Sequence, residues 1–237
     1  MANTDSTSTP RHDNDDVWVV VTAYNEGSRL EPTLRQLCES YPNVVVVDDG
    51  SSDNTREVAL RHYVWVLRHV INCGQGAALR TGIEFALDRG AKIIVNCDGD
   101  GQHCVDEIEQ LVAPIRAGQV EVALGSRFLG RVEQMPRHRW IILKLGVVFT
   151  RVFSWIDVTD THNGFRAFAR SAAQKVRIRQ NRMAHSSEIL DEISRQGLTY
   201  CEVPVTIRYT QDTLTKGQSS WNALRIVIQM FLGRLMK

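Results

Sequence analysis

No stretch of the 237 residues reaches the roughly 18 uninterrupted apolar positions that a membrane-spanning helix needs. The two nearest approaches are broken by charge. Trp140 to Ile156 contains Lys144 and Arg151, and Trp221 to Leu235 contains Arg225, Gln229 and Arg234, so both read as buried or interfacial helices. Cysteine is sparse as well: Cys38, Cys73, Cys97, Cys104 and Cys201 include no CxxC pair and are too few to staple a chain of this length. A reducing cytosol fits, with each thiol read as a small buried hydrophobe. The net charge is only +1, which removes the basic excess that nucleic-acid binding usually requires. With 43% hydrophobic and 23% charged residues, the chain is neither collagenous nor wholly disordered. An apolar leader is also missing at the start: Met1 to Asp16 is rich in Ser, Thr, Asp and Asn, and reads as a disordered tail.

From Val17 onward, short β-branched runs alternate with amphipathic stretches, the pattern of βαβ units and a mainly parallel, Rossmann-like sheet flanked by helices. Val17 to Thr22, Val44 to Val47, Tyr63 to Leu67, Ile93 to Asn96 and Val120 to Leu124 are each apolar enough to be strands buried on both faces. Between them the spacing predicts four helices. The first is opened by Ser28 and Glu31 in capping-box register, the second follows Ser51 to Asp53, the third spans Gly76 to Arg89, and the fourth carries Val105, Ile108, Leu111, Val112 and Ile115. A basic helix, a turn-rich segment at Asp157 to Gly164, a helix near Ser186 to Arg195, a strand near Leu198 to Tyr209 and a terminal helix complete the expectation. This gives one α/β domain over residues 17–220, with the terminal helix at 221–237 left to dock on a membrane or a partner.

Ligands of open parallel sheets bind beyond the carboxyl ends of the strands. Three polar clusters fall at those ends: Tyr24-Asn25-Glu26, Asp48-Asp49-Gly50-Ser51, and Asp98-Gly99-Asp100-Gly101-Gln102-His103. Taken alone, Asp48 to Ser51 reads first as a turn followed by a helix cap, and Asp98 to Asp100 reads the same way. Together they gather carboxylates that repel unless a cation or donor groups offset them. An oxygen-rich pair suits Mg2+ or Mn2+, which in turn suits a nucleotide diphosphate. Asn72 to Ala78 opens a helix with Gly74 and Gly76, which lets backbone amides approach a ligand at a positive helix end. It is neither a Walker loop nor a dinucleotide fingerprint.

In order and spacing, these motifs resemble family 2 glycosyltransferases, especially the branch containing dolichol-phosphate mannosyltransferase and bacterial polyprenyl-phosphate sugar transferases. The likeness covers roughly Val17 to Ser220. Besides the clusters above it takes in Asp53 and Thr55, Asn72 to Gly82, Gly125-Ser126-Arg127, Asp160 to Arg166, Glu188 and Glu202-Val203-Pro204-Val205. It implies a GT-A-like single domain and inverting, metal-dependent transfer from a nucleotide-sugar donor to a polyprenyl-phosphate acceptor, with a glycan hydroxyl as the alternative acceptor and a nonenzymatic nucleotide-sugar sensor as the alternative role. It further implies that Glu26 and Asp49 contact the base or ribose, with Tyr24, Asn25 and Gly76 also in the donor site, that Asp98, Asp100 and Gln102 surround the metal and diphosphate, and that Arg127 and Arg139 receive an acceptor phosphate. Gln75, where many relatives have lysine, and Thr22, where proline often stands, depart from the pattern, so Lys216 in the late loop becomes the candidate for charge at the diphosphate. Asp160 and Glu188 are candidate general bases if the acceptor is a hydroxyl; a phosphate needs none. From Arg127 to Arg151 six Lys or Arg face the single Glu133, a basic patch suited to phosphate or anionic lipid at the cytosolic membrane face. A small membrane protein docked on the terminal helix fits the same placement.

Overall fold

The computed structural model describes residues 14–133, 140, 144, 147 and 156–208. Arg139, Lys216, the predicted terminal helix at 221–237 and most of the predicted helix between Trp140 and Ile156 lie outside these residues.

Seven strands form one sheet in the order β3-β2-β1-β4-β6-β5-β7. They are β1 Val17–Ala23, β2 Asn43–Asp48, β3 Trp65–Arg68, β4 Ile93–Asp98, β5 Val122–Glu133, β6 Arg166–Ala169 and β7 Tyr200–Arg208. Helices α1 (Leu30–Ser40), α2 (Thr55–Ala59) and α4 (Ile108–Arg116) cover one face, while α3 (Gln75–Asp88), α5 (Arg170–Lys175) and α6 (His185–Arg195) cover the other. The alternation within β1 explains its unbroken apolar run. Val17, Val19 and Val21 join Leu30, Leu34, Leu37 and Ile108 in one core, and Trp18 and Val20 join Ala78, Leu79, Ile83 and Ile189 in the other. Both faces are dry, so period-2 polarity is absent.

The expectation of a mainly parallel sheet is met: β1 pairs in parallel with β2 and β4, β2 with β3, and β5 with β7. The exception is β6, antiparallel to both β4 and β5. Its four residues follow the turn-rich segment and are too short to announce a strand.

Several local expectations are corrected. β3 is an edge strand, not one buried on both faces; Trp65 is 49% exposed and Tyr63, just before it, fully so. The capping box at Ser28 and Glu31 does not form. Helix α1 starts at Leu30, where the amides of Arg29 and Leu30 both donate to the Glu26 carbonyl, and Pro32 falls in the first turn, where a missing N–H costs nothing. β5 continues to Glu133 through a bulge between Ser126 and Arg131, so the first part of the predicted basic helix is strand. Finally, Asn14 to Asp16 belong to the domain, not to a tail. The Asn14 side chain donates to the Ser40 carbonyl, Arg116 pairs with Asp16, and the amides of Lys92 and Ile93 donate to the Asp16 carbonyl.

Candidate active site at the β1 switch point

The chain runs from β1 outward to β2 and β3, then returns to lay β4 on the other side of β1. The crevice opens where the order reverses. Register places Ala23 opposite Asp48 and Thr22 opposite Asp98, so the three polar clusters share one edge.

The loops there are stitched by side chains. After β1, the amides of Asn25, Glu26 and Gly27 donate to Ser51 Oγ, Thr55 Oγ1 and Asp53 Oδ2 at 2.9, 2.8 and 3.1 Å. Asn25 takes a left-handed conformation (φ +54°) and its Oδ1 accepts the Ser52 amide at 2.9 Å, a local bond that offsets the strain. Glu26 is ion-paired with Arg29. The Tyr24 ring is left 46% exposed at the mouth of the crevice.

Asp49 faces the other way. Only 2% exposed, it accepts the Cys73 amide (2.9 Å) on Oδ1 and the Gly74 amide (2.7 Å) on Oδ2, with His69 Nδ1 at 2.7 Å from Oδ1. The carboxylate itself thus fills the anion position at the start of α3. The expected approach of Gly76 to a ligand is not made either: its amide donates to the Asn181 carbonyl at 2.8 Å, and a Cβ there would lie 2.1 Å from the Gln180 carbonyl oxygen. Glycine is needed for packing against the 180–185 segment.

Asp98 and Asp100 are the acidic pair that remains. Gln75 Nε2 donates to Asp98 Oδ1 at 2.7 Å, and Thr22 Oγ1 lies at 3.5 Å from the same oxygen, so the two departures from the family pattern both act on this carboxylate. Burial raises the Asp98 pKa, opposed by Gln75, Thr22, Arg166 and Arg127. Asp100 is raised by burial and then by the charge of Asp98, while its Oδ1 accepts the Gln102 amide at 3.1 Å. Two buried carboxylates, one of them raised by the charge of the other, form a hard, cation-seeking set. Gly164 leaves room beside them, since a Cβ on it would stand 2.8 Å from Asp98 Oδ2. The residues therefore fit Mg2+ or Mn2+. His103 braces the loop: its Nδ1 accepts the Asp98 amide, its ring stacks on Phe165 at 4.7 Å, and its backbone bridges to Ile207.

Across the crevice, Arg127 is buried with its Nε 2.6 Å from Asp160 Oδ2, which also accepts the Arg127 amide at 3.1 Å. Asp160 Oδ1 accepts the His162 amide, and the Glu202 carboxylate holds the loop through the amides of Thr159 and Asp160. Arg166 closes the Asp160 to Arg166 motif, but the sequence assigns it no role, because an arginine after a turn-rich segment looks like a surface residue. It is buried, donating to the carbonyls of Asn163, Ser186 and Thr161, and burial lowers its pKa to about 10, which leaves it cationic at neutral pH. Glu188 accepts the amides of Arg179 and Gln180 at 2.9 and 2.8 Å.

The family model "Glycosyl transferase family 2" matches residues 18–177. An uncharacterized protein of Methanocaldococcus jannaschii is 37% identical over 227 residues, covering 93% of each chain. The UDP-N-acetylglucosamine–dolichyl-phosphate N-acetylglucosaminyltransferase of Methanococcus voltae is 29% identical, covering 93% of this chain and 97% of its own. Polyprenol monophosphomannose synthase of Mycolicibacterium smegmatis is 28% identical over 87% of this chain and 82% of its own. Among solved structures, glucosyl-3-phosphoglycerate synthase of Mycobacterium tuberculosis with Mn2+ and UDP-glucose superposes with a TM-score of 0.69 at 20% identity, over 92% of this chain and 78% of that one. With the carboxylate-lined crevice, the GT-A type sheet and the family match in agreement, this chain belongs to glycosyl transferase family 2 and is a glycosyltransferase.

Proposed function

We propose that the enzyme transfers a sugar from a nucleotide-sugar to a polyprenyl phosphate, with inversion, using Mg2+ or Mn2+ held by Asp98, Asp100 and Gln102. The relatives named for dolichyl-phosphate and polyprenol acceptors support the acceptor class. One observation carries the choice over a glycan hydroxyl: both carboxylates available as general bases are committed. Asp160 is spent on Arg127 and the His162 amide, and Glu188, on α6, turns its Oε2 onto the amides of Arg179 and Gln180 in the segment before that helix. A hydroxyl needs its proton removed, whereas a phosphate monoester oxygen is already anionic near neutrality.

When bound, the divalent ion offsets the charge that develops on the diphosphate leaving group. Gln75 and Thr22 hold Asp98 in place for that ion, and the loop of Tyr24, Asn25 and Glu26 borders the nucleoside. Lys216 adds charge over the diphosphate. Asp160 fixes the Arg127 guanidinium, so its positive charge is preorganised for the acceptor phosphate, with Arg139 supplementing it. The acceptor oxygen then bonds to the anomeric carbon as the bond from that carbon to the diphosphate oxygen breaks.

Beyond the buried Arg127, the basic stretch from Arg131 to Arg151 brings the enzyme to an anionic cytosolic leaflet, and Trp140 supplies exposed aromatic surface, with Lys144 Nζ 3.9 Å from the Phe128 ring centre beside it. A small membrane partner on the 221–237 segment adds to this attachment. Nucleotide-sugars are screened for Mn2+-dependent thermal stabilisation, and the stabilising donor is offered polyprenyl phosphate and glycan acceptors. Transfer to polyprenyl phosphate with inverted anomeric configuration is expected. Transfer to hydroxyl acceptors alone, or undiminished turnover in chelator, overturns the respective part of the reading.

A further inference from the structure

A second convergence of ligating side chains lies on the far side of β2 from the acidic pair. Asp49 follows β2, His69 follows β3 and Cys73 stands in the loop before α3, yet one ligand atom from each lies within 4.8 Å of the other two. Asp49 is buried, while His69 and Cys73 are partly exposed. The ring of His69 is bracketed: Nδ1 is 2.7 Å from Asp49 Oδ1, and Nε2 is 3.0 Å from Thr81 Oγ1 on α3.

We propose that Asp49, His69 and Cys73 form a second cation site, for a borderline ion of the Zn2+ class, distinct from the oxygen-donor pair Asp98 and Asp100. The donor chemistry separates the two. Thiolate and imidazole nitrogen select zinc-like ions, whereas carboxylate oxygens suit Mg2+ and Mn2+. Cysteine at position 73 is therefore more than the small hydrophobe that its sequence context suggests.

Loading asks for shifts of about an ångström: the Cys73 sulfur, within 4.8 Å of its partners, closes by up to roughly 1.2 Å. Two ligands on a tetrahedral ion with bonds near 2.1 Å stand roughly 3.4 Å apart, so the 2.7 Å contact between His69 and Asp49 opens by well under 1 Å. The amides of Cys73 and Gly74 already orient the carboxylate. Thr81 supplies the outer partner, because Nε2–H donating to its hydroxyl leaves the Nδ1 lone pair directed at the ion. With His69 as the neutral Nε2–H tautomer, the ion takes the place between Nδ1 and the Asp49 carboxylate, and the Cys73 thiol releases its proton to solvent as its sulfur binds. One carboxylate and one thiolate balance the 2+ charge. Three protein ligands leave a fourth position for water, reached through the exposed sides of His69 and Cys73.

The test uses the full reduced chain and Co2+ as a spectroscopic substitute for Zn2+. An equimolar thiolate-to-cobalt charge-transfer band in the near ultraviolet is expected, displaced by Zn2+ but not by excess Mg2+. Cys73→Ser should abolish the band. Thr81→Val, which keeps the shape and removes only the outer partner, should weaken Co2+ binding by about tenfold. No band in the wild-type chain, or a band that survives Cys73→Ser, overturns the proposal. Because the oxygen pair contains no thiol, the result is independent of the donor-site reading, and Asp100→Ala should leave the band in place.

Discussion

Substituting alanine for Gly164 tests the acidic pair without touching a charged residue. The Gly164 backbone lies outside the left-handed region, so alanine is conformationally acceptable and the whole effect comes from its methyl group. That group would stand 2.8 Å from Asp98 Oδ2 and 3.3 Å from Oδ1, closer than carbon and oxygen tolerate, with the carboxylate as the movable partner. Turning it away stretches the 2.7 Å bond from Gln75. A hydrogen bond to a charged group contributes about 1.5–3 kcal/mol, so the productive orientation of Asp98 is disfavoured by about that amount. At about 1.4 kcal/mol per decade, Mn2+ affinity should fall roughly 10- to 100-fold. Free Mn2+ is measured by electron paramagnetic resonance during titration, alongside the melting temperature without metal. An affinity within about twofold of wild type in a normally melting protein would refute the placement of the ion against Asp98.

Asp160→Asn removes the carboxylate 2.6 Å from the buried Arg127 guanidinium and should cost about 3 kcal/mol in urea unfolding, together with a raised acceptor KM; an unchanged unfolding midpoint would show that the pair is not a supporting element. Gly76→Ala forces a Cβ to within 2.1 Å of the Gln180 carbonyl oxygen and should lower stability by about 1–3 kcal/mol, read as a drop in melting temperature whether or not donor is present. Burial lowers the pKa of His162 and of His185 to about 4, so the unfolded chain takes up protons near pH 6.5 while the folded chain does not until about pH 4. Their contribution is complete above pH 6.5 and lost as pH falls towards 4, by up to about 3 kcal/mol each, and the double variant His162→Gln, His185→Gln should flatten the stability profile across that window.

The βα rhythm up to residue 125 was legible because both faces of the strands are buried and leave continuous apolar runs, and because the helical faces repeat at the expected spacing. The clustering of Tyr24 to Glu26, Asp48 to Ser51 and Asp98 to His103 at one edge was legible for the same reason: parallel strands bring their carboxyl ends together whatever lies between them. Strand β6 was not, since four residues become a strand only by pairing with β4 and β5 on either side. The division of labour within the acidic clusters also belongs to the tertiary structure. Asp49 and Asp98 lie at the ends of the two apolar strands that flank β1, yet Asp49 turns inward to the amides of Cys73 and Gly74, while Asp98 meets Gln75, Thr22 and the open space beside Gly164. Local sequence determined that carboxylates would gather at the β1 crevice. Only the packing of α3 and of the 180–185 segment decided which of them would turn onto loop amides and which would face the open crevice, because hydrogen-bond partners far apart in the chain compete for the same oxygens.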